Sequence, residues 1–166
     1  MRPLYIALII IWFVLGYFLC NKYISNNSGE SQIEATPLLK GEPCKPALLF
    51  KDGDFKKVSL ENFKFSRNSF DHYLLSPEFE ELLLSIGKYL DENPKRKMKI
   101  KGLFLEDETN QTEYENLGLA RAYSVKTYFL TLGVNSSQLL ASAKLANPNC
   151  FDGDVLQKGV VVAFGQ

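Results

Sequence analysis

The chain has 166 residues, with 19 lysines and arginines, 19 aspartates and glutamates, and one histidine. That length suits one ordinary domain with an appendage rather than two full domains. A net charge of zero argues against bulk electrostatic binding to nucleic acid, which needs a basic excess. A hydrophobic content of 46% excludes wholesale disorder, and three cysteines with one histidine leave little material for a zinc site.

The first element is apolar. Leu4 to Cys20 carries no charge and almost no polar atom. A helix crosses the hydrocarbon core with roughly 20 such residues, a length reached when Asn21 to Ile24 continue the run through the interface. Tyr5, Tyr17 and Tyr23 suit the headgroup regions at its ends. A cleaved signal needs small residues before the cut, and Phe18-Leu19-Cys20-Asn21 offers none. Leu19 also stands where a lipidated Cys20 would need a small neighbour. An uncleaved anchor over residues 1–24, touching membrane through residues 4–24, is the expectation. Arg2 and the terminal amine against Lys22 favour an inside N-terminus, with the rest exported.

Residues 25–46 are rich in Ser, Asn, Gly and Pro and read as a flexible linker. Its coil span is ~25 Å, so the domain beyond it, residues 47–166, sits close to the membrane.

Ala47–Phe50 is a short apolar strand ended by the turn composition Lys51-Asp52-Gly53-Asp54, and Phe63-Lys64-Phe65 alternates as a second strand. Ser76-Pro77-Glu78 opens a helix: serine caps free amides, proline suits the first turn, and glutamate meets the positive dipole end. Phe79, Leu82, Leu83, Ile86 and Leu90 form one helical face, and Asn93-Pro94 stops it. Lys97 to Gly102 alternates as a strand with one wet face, so its lysines read as solvated rather than as a phosphate patch. An acidic loop, Glu106 to Glu113, precedes a helix from about Asn116 to Leu132. Its buried stripe is Gly118, Ala122, Val125, Phe129 and Leu132, with Gly133 as its left-handed cap. Leu139–Leu145 is a candidate strand. Asn147-Pro148-Asn149 and Asp152-Gly153 mark a loop, and Gly159–Gly165 is a last, buried strand. This order predicts an α+β domain with helices packed on one sheet.

Cys44 and Cys150 both fall on the exported side of such an anchor, where a disulfide persists. Spacing leaves two options open, a bridge between them or two free thiols. His72 stands alone in Phe70-Asp71-His72-Tyr73 and reads as a solvated loop residue. No Gly-x-Ser-x-Gly, phosphate loop or dinucleotide fingerprint is present, so no catalytic residue is assigned, and no cofactor is expected. The acidic loop lacks the alternating ligands and central glycine of a calcium loop, so no metal is expected there.

The segment Asn116-Leu117-Gly118-Leu119-Ala120-Arg121-Ala122-Tyr123-Ser124-Val125 resembles the Leu-Gly/Ser-x-x-Arg-Ala-x-x-Val pattern of OmpA-like domains, the peptidoglycan-associating modules of bacterial envelope proteins. Met98-x-Ile100-x-Gly102 is similar to the family strand before the ligand loop, and Glu80 to Asn93 to its first helix. The likeness spans about Phe63 to Phe164. It implies a β-α-β-α-β-β sandwich of helices on one mixed sheet, and no enzymatic activity.

The family grips the peptide stem of peptidoglycan with an arginine for a carboxylate and an aspartate for an amine. The resemblance carries the arginine onto Arg121. It does not carry the aspartate: Gly102-Leu103-Phe104-Leu105-Glu106 stands where the family has Gly-His-Thr-Asp. Glu106, Asp107 and Glu108 are the candidate acids. Tyr114 replaces the family's helix-opening asparagine, and Gln157-Lys158-Gly159 its Asn-Arg-Arg. Two expectations follow for the periplasmic side of the envelope. One is an anchored domain associating with peptidoglycan through Arg121 and one of these acids. The other is a degenerate domain that scaffolds protein partners, whose identity the sequence does not name.

Overall fold

The structure, a computed structural model, describes residues 44–165. The expected membrane anchor and most of the linker lie outside the described residues. Among those residues no helix is long and apolar enough to cross a membrane.

The chain enters through a hairpin, β1 (Leu48–Asp52) and β2 (Phe55–Ser59), turned at Gly53-Asp54. Leu48, Phe50 and Asp52 face inward in strict alternation, the signature of a strand with one wet face. A two-residue strand β3 (Phe65–Ser66) follows, then helix α1 (Pro77–Glu92). The Ser76 hydroxyl accepts the Phe79 amide at 3.2 Å and caps α1, as Ser-Pro-Glu predicts. Phe79, Leu83, Ile86, Gly87 and Leu90 are the buried face of α1.

Strand β4 (Lys97–Phe104) is central. It runs parallel to β5 (Leu139–Leu145) and antiparallel to β8 (Val160–Gly165), giving the order β5-β4-β8. Parallel neighbours need a crossover, supplied by helix α2 (Leu117–Thr131), which lies across β4 and β5. Gly102 makes that packing close. A Cβ there would collide with the carbonyl of Gly118 and the amide of Ala122, so the strand and helix backbones touch where both residues are glycine. The short strands β6 (Phe151–Asp152) and β7 (Val155–Leu156) form a second hairpin, and β7 pairs with β3.

Three expectations are corrected. The strands form three groups, β1-β2, β3-β7-β6 and β5-β4-β8, rather than one mixed sheet. The mixed pairing is confined to the last group. Strand β8 buries only Val160 fully, so it is half-covered rather than a buried strand. The segment Asn147 to Gly153, read as loop, holds a 3-10 turn (Pro148–Cys150) and β6.

One core unites these groups. Phe50, Phe63, Phe65, Ile100, Phe129 and Leu139 have no exposed surface. Each such side chain contributes about 1.5–3 kcal/mol on burial. Buried amides join the seams. Asn62 donates to the Val160 carbonyl at 3.0 Å and accepts its amide at 3.1 Å, completing the start of β8. Gln138 donates to carbonyls of Leu90, Asn93 and Arg96, closing the end of α1. Asp52, almost buried, takes the Tyr89 hydroxyl at 2.9 Å and pairs with Arg96, fastening the first hairpin to α1.

Candidate functional site

Helix α2 positions the arginine. Asn116 caps it, its side chain accepting the Leu119 amide at 2.9 Å, and Gly133 ends it at φ +87, where a left-handed residue is needed. Arg121 therefore falls on the second turn, on the buried face with Gly118, Ala122 and Val125. Its side chain is fully buried, which is rare for arginine and demands a partner for every donor.

Every donor has one. Nε donates to the Ser69 carbonyl at 2.9 Å. One terminal nitrogen donates to the Leu103 carbonyl at 2.9 Å and to a Glu108 oxygen at 3.0 Å. The other donates to the Ser66 carbonyl at 3.1 Å and to the second Glu108 oxygen at 2.6 Å. A guanidinium has five N–H donors in a planar fork, and all five are used. The Phe65 ring lies 5.3 Å from the guanidinium carbon, adding a cation–π contact.

Glu108 is matched from its own side. Its side chain has no exposed surface, and its oxygens also accept the Leu105 amide at 2.8 Å and the Asn68 amide at 3.2 Å. Burial pushes the carboxyl pKa up. The Arg121 hydrogen bonds, its charge and the two amides outweigh that push, and hold the carboxyl below its ordinary value.

Neighbouring contacts hold the acidic loop in place. Asn68 sits at φ 61, a left-handed conformation that asparagine tolerates, and its side chain accepts the Thr109 amide at 2.7 Å. Arg67 donates to Asp107 at 2.5 Å. Of the three candidate acids, Glu108 meets Arg121, Asp107 meets Arg67 at the surface, and Glu106 stays exposed. Leu103 is buried, Phe104 and Leu105 half-buried, and the Arg121 side chain has no exposed surface.

Cys44 and Cys150 are joined in a disulfide with Cα atoms 4.8 Å apart, closing the chain across a separation of 106. It ties the entry of the domain to the start of β6. Among the described residues no group of three His, Cys, Asp or Glu side chains is placed to hold a metal ion.

Two residues lie otherwise than their sequence suggests. His72 is half-buried, not solvated. Its ring meets Phe63 and Tyr128 edge-on at 5.4 and 5.9 Å. Tyr114 stacks on Tyr123, centroids 4.8 Å apart, and both line a cleft of ≈ 400 Å³ on the outer side of α2. Arg121 does not line that cleft.

The chain is thus similar to OmpA-like α+β domains. No family model matches it, and no curated protein does. Among solved structures, the peptidoglycan-associated lipoprotein from Burkholderia pseudomallei is 25% identical, over 62% of this chain and 88% of that one, with a TM-score of 0.43. The C-terminal domain of Helicobacter pylori MotB is 21% identical over 64% and 84%, TM-score 0.44. The OmpA-like domain of FopA1 from Francisella tularensis is 18% identical over 72% and 78%, TM-score 0.47.

Proposed function

We propose that this chain is a non-enzymatic protein of the bacterial cell envelope. Residues 4–24 hold it at a membrane, and the domain of residues 47–166 is exported to the periplasmic side. There it serves as an interaction scaffold rather than as a carboxylate grip. The observation that carries this reading is the occupancy of Arg121. The side chain that would take a stem-peptide carboxylate already holds one, from Glu108, with no donor left over.

A second reading is peptidoglycan association through the same arginine. What favours it is the motif position of Arg121 and the fork-to-carboxylate geometry, which is the geometry a ligand carboxylate would adopt. It requires Glu108 to leave a buried, five-bonded partner as the stem enters.

Co-sedimentation of the full chain in detergent with purified sacculi separates the two. The scaffold reading expects no saturable binding that depends on Arg121, so the unmutated protein and Arg121→Lys sediment alike. Saturable binding lost in Arg121→Lys, with an unchanged circular dichroism spectrum, would replace it with the peptidoglycan reading. Arg121→Ala is a poor probe, because it leaves Glu108 buried and unpaired.

A further inference from the structure

We infer that the cleft on the outer side of α2 is a binding site for a neutral oligosaccharide, with pyranose rings stacked on its tyrosines. The cleft is ≈ 400 Å³, within the usual range for ligand sites, and is separate from the Arg121 pocket.

Its chemistry selects the ligand. Phe70, His72, Tyr114, Tyr123 and Tyr128 bring aromatic rings to the lining. Tyr114 and Tyr123 stack on each other and the Lys126 ammonium lies 5.7 Å from the Tyr123 ring centroid, yet each tyrosine keeps 38% of its surface exposed. An aromatic face is electron-rich, so it attracts the polarised C–H face of a sugar ring. Asp71, Ser124, Thr127 and Thr131 supply the polar part: one carboxylate and three hydroxyls, the last three on one stripe of α2. Asp71 accepts, the Thr131 hydroxyl accepts because its proton goes to the Tyr128 carbonyl at 2.6 Å, and Ser124 and Thr127 can do either, as sugar hydroxyls require.

Two details sharpen the polar inventory. The Tyr73 carbonyl can only accept, so the His72 Nδ1 facing it at 2.9 Å carries a proton. Burial and then the Glu80 carboxylate push the Tyr128 hydroxyl above its ordinary pKa, so it stays neutral and donates.

Other ligand classes fit less well. No lysine or arginine is among the lining residues, and Lys126, at the rim, is held over the Tyr123 ring at 5.7 Å, so a phosphate or carboxylate finds no counter-charge within the lining itself. Its walls are a helix and loops rather than a strand edge, so an extended peptide finds no main-chain ladder.

The test is saturation-transfer difference NMR on the full chain in lipid nanodiscs. The probes are cellotetraose and N-acetylchitotetraose, with blocked tetra-alanine as the non-sugar arm. Transfer to ring C–H protons of at least one sugar is expected, with a dissociation constant in the millimolar range. Tyr123→Ala and Asp71→Asn, both at exposed positions, should each weaken it by ~10-fold with an unchanged thermal melt. No transfer to either sugar, transfer to tetra-alanine alone, or transfer indifferent to both variants would overturn the inference. Loss of binding to sacculi leaves this result untouched, because Arg121 is not part of the cleft.

Discussion

The two sides of α2 differ in how their polar groups are used. On the inner side, one arginine and one glutamate are sealed from solvent, and each polar atom of the pair is matched within the chain. On the outer side, tyrosines, hydroxyls and a carboxylate line an open cleft. A ligand can enter only the second without breaking the fold's own bonds. A residue at a family's binding position therefore marks a binding site only if its donors are free. In this chain Arg121 is a structural latch, because the acidic loop supplies its counter-group.

Breaking the latch should have the largest effect. Arg121→Ala or Glu108→Ala leaves a buried charge without its partner, and each should destabilise the domain by about 3–5 kcal/mol in urea melts. The paired change Arg121→Met with Glu108→Leu should recover only part of that loss: it removes both buried charges, but the carbonyls of Ser66, Ser69 and Leu103 and the amides of Asn68 and Leu105 lose their side-chain partners. If the single variants melt like the unmutated chain, the pair is not sealed.

Reducing the Cys44–Cys150 disulfide, or replacing either cysteine by serine, should cost about 2–5 kcal/mol, given the long segment it closes. Melts with and without reductant measure it, and the loss should be additive with the latch variants, since the two features share no hydrogen-bond partner. Gly102→Ala should come next. Its new methyl meets backbone atoms of α2 rather than a yielding side chain, so about 1–3 kcal/mol is expected from overpacking.

Acid should loosen the latch. Glu108 is held below its ordinary pKa in the fold, so the unfolded chain takes up the proton first as pH falls. The glutamate's contribution is complete at neutral pH. It fades as pH drops from the ordinary carboxylate range through the lowered value. Melts across that window should show a slope that Glu108→Gln flattens. The smallest effects belong to the outer acids: Asp107→Ala should cost at most about 1 kcal/mol, and Glu106→Ala under about 0.5 kcal/mol. Equal effects at all three acids would erase the distinction between latch and surface.

Much of the fold was legible because local signals agreed. Ser76, Asn93, Asn116 and Gly133 bound two helices whose apolar spacing is regular, and the alternation at Lys97 to Gly102 marked β4. Strand β2 was missed because Phe-Lys-Lys-Val-Ser is mostly polar and exposed; its pairing with β1 holds it, not its own pattern. The split of the sheet depends on two-residue strands, β3, β6 and β7, too short to show any period.

At the site, the arginine was legible from the helix motif, but its partner was not. Three consecutive acids offered themselves. The choice of Glu108 is set by Asn68 and Arg67, which hold the loop from 40 residues away in sequence. No local pattern carries that information. The cleft was hidden for a similar reason: Tyr114 and Tyr123 stack, and His72 meets Tyr128, only once the chain has folded.

Whether Arg121 is closed off within the fold is tested most directly by NMR of its guanidinium in the intact protein, during titration with a soluble peptidoglycan stem peptide. A latched arginine should show slowly exchanging, separately resolved Nη protons that do not move as the peptide is added. Rapid exchange in the free protein, or saturable shifts of those signals with the peptide, would show that the arginine is an open grip and would contradict the latch.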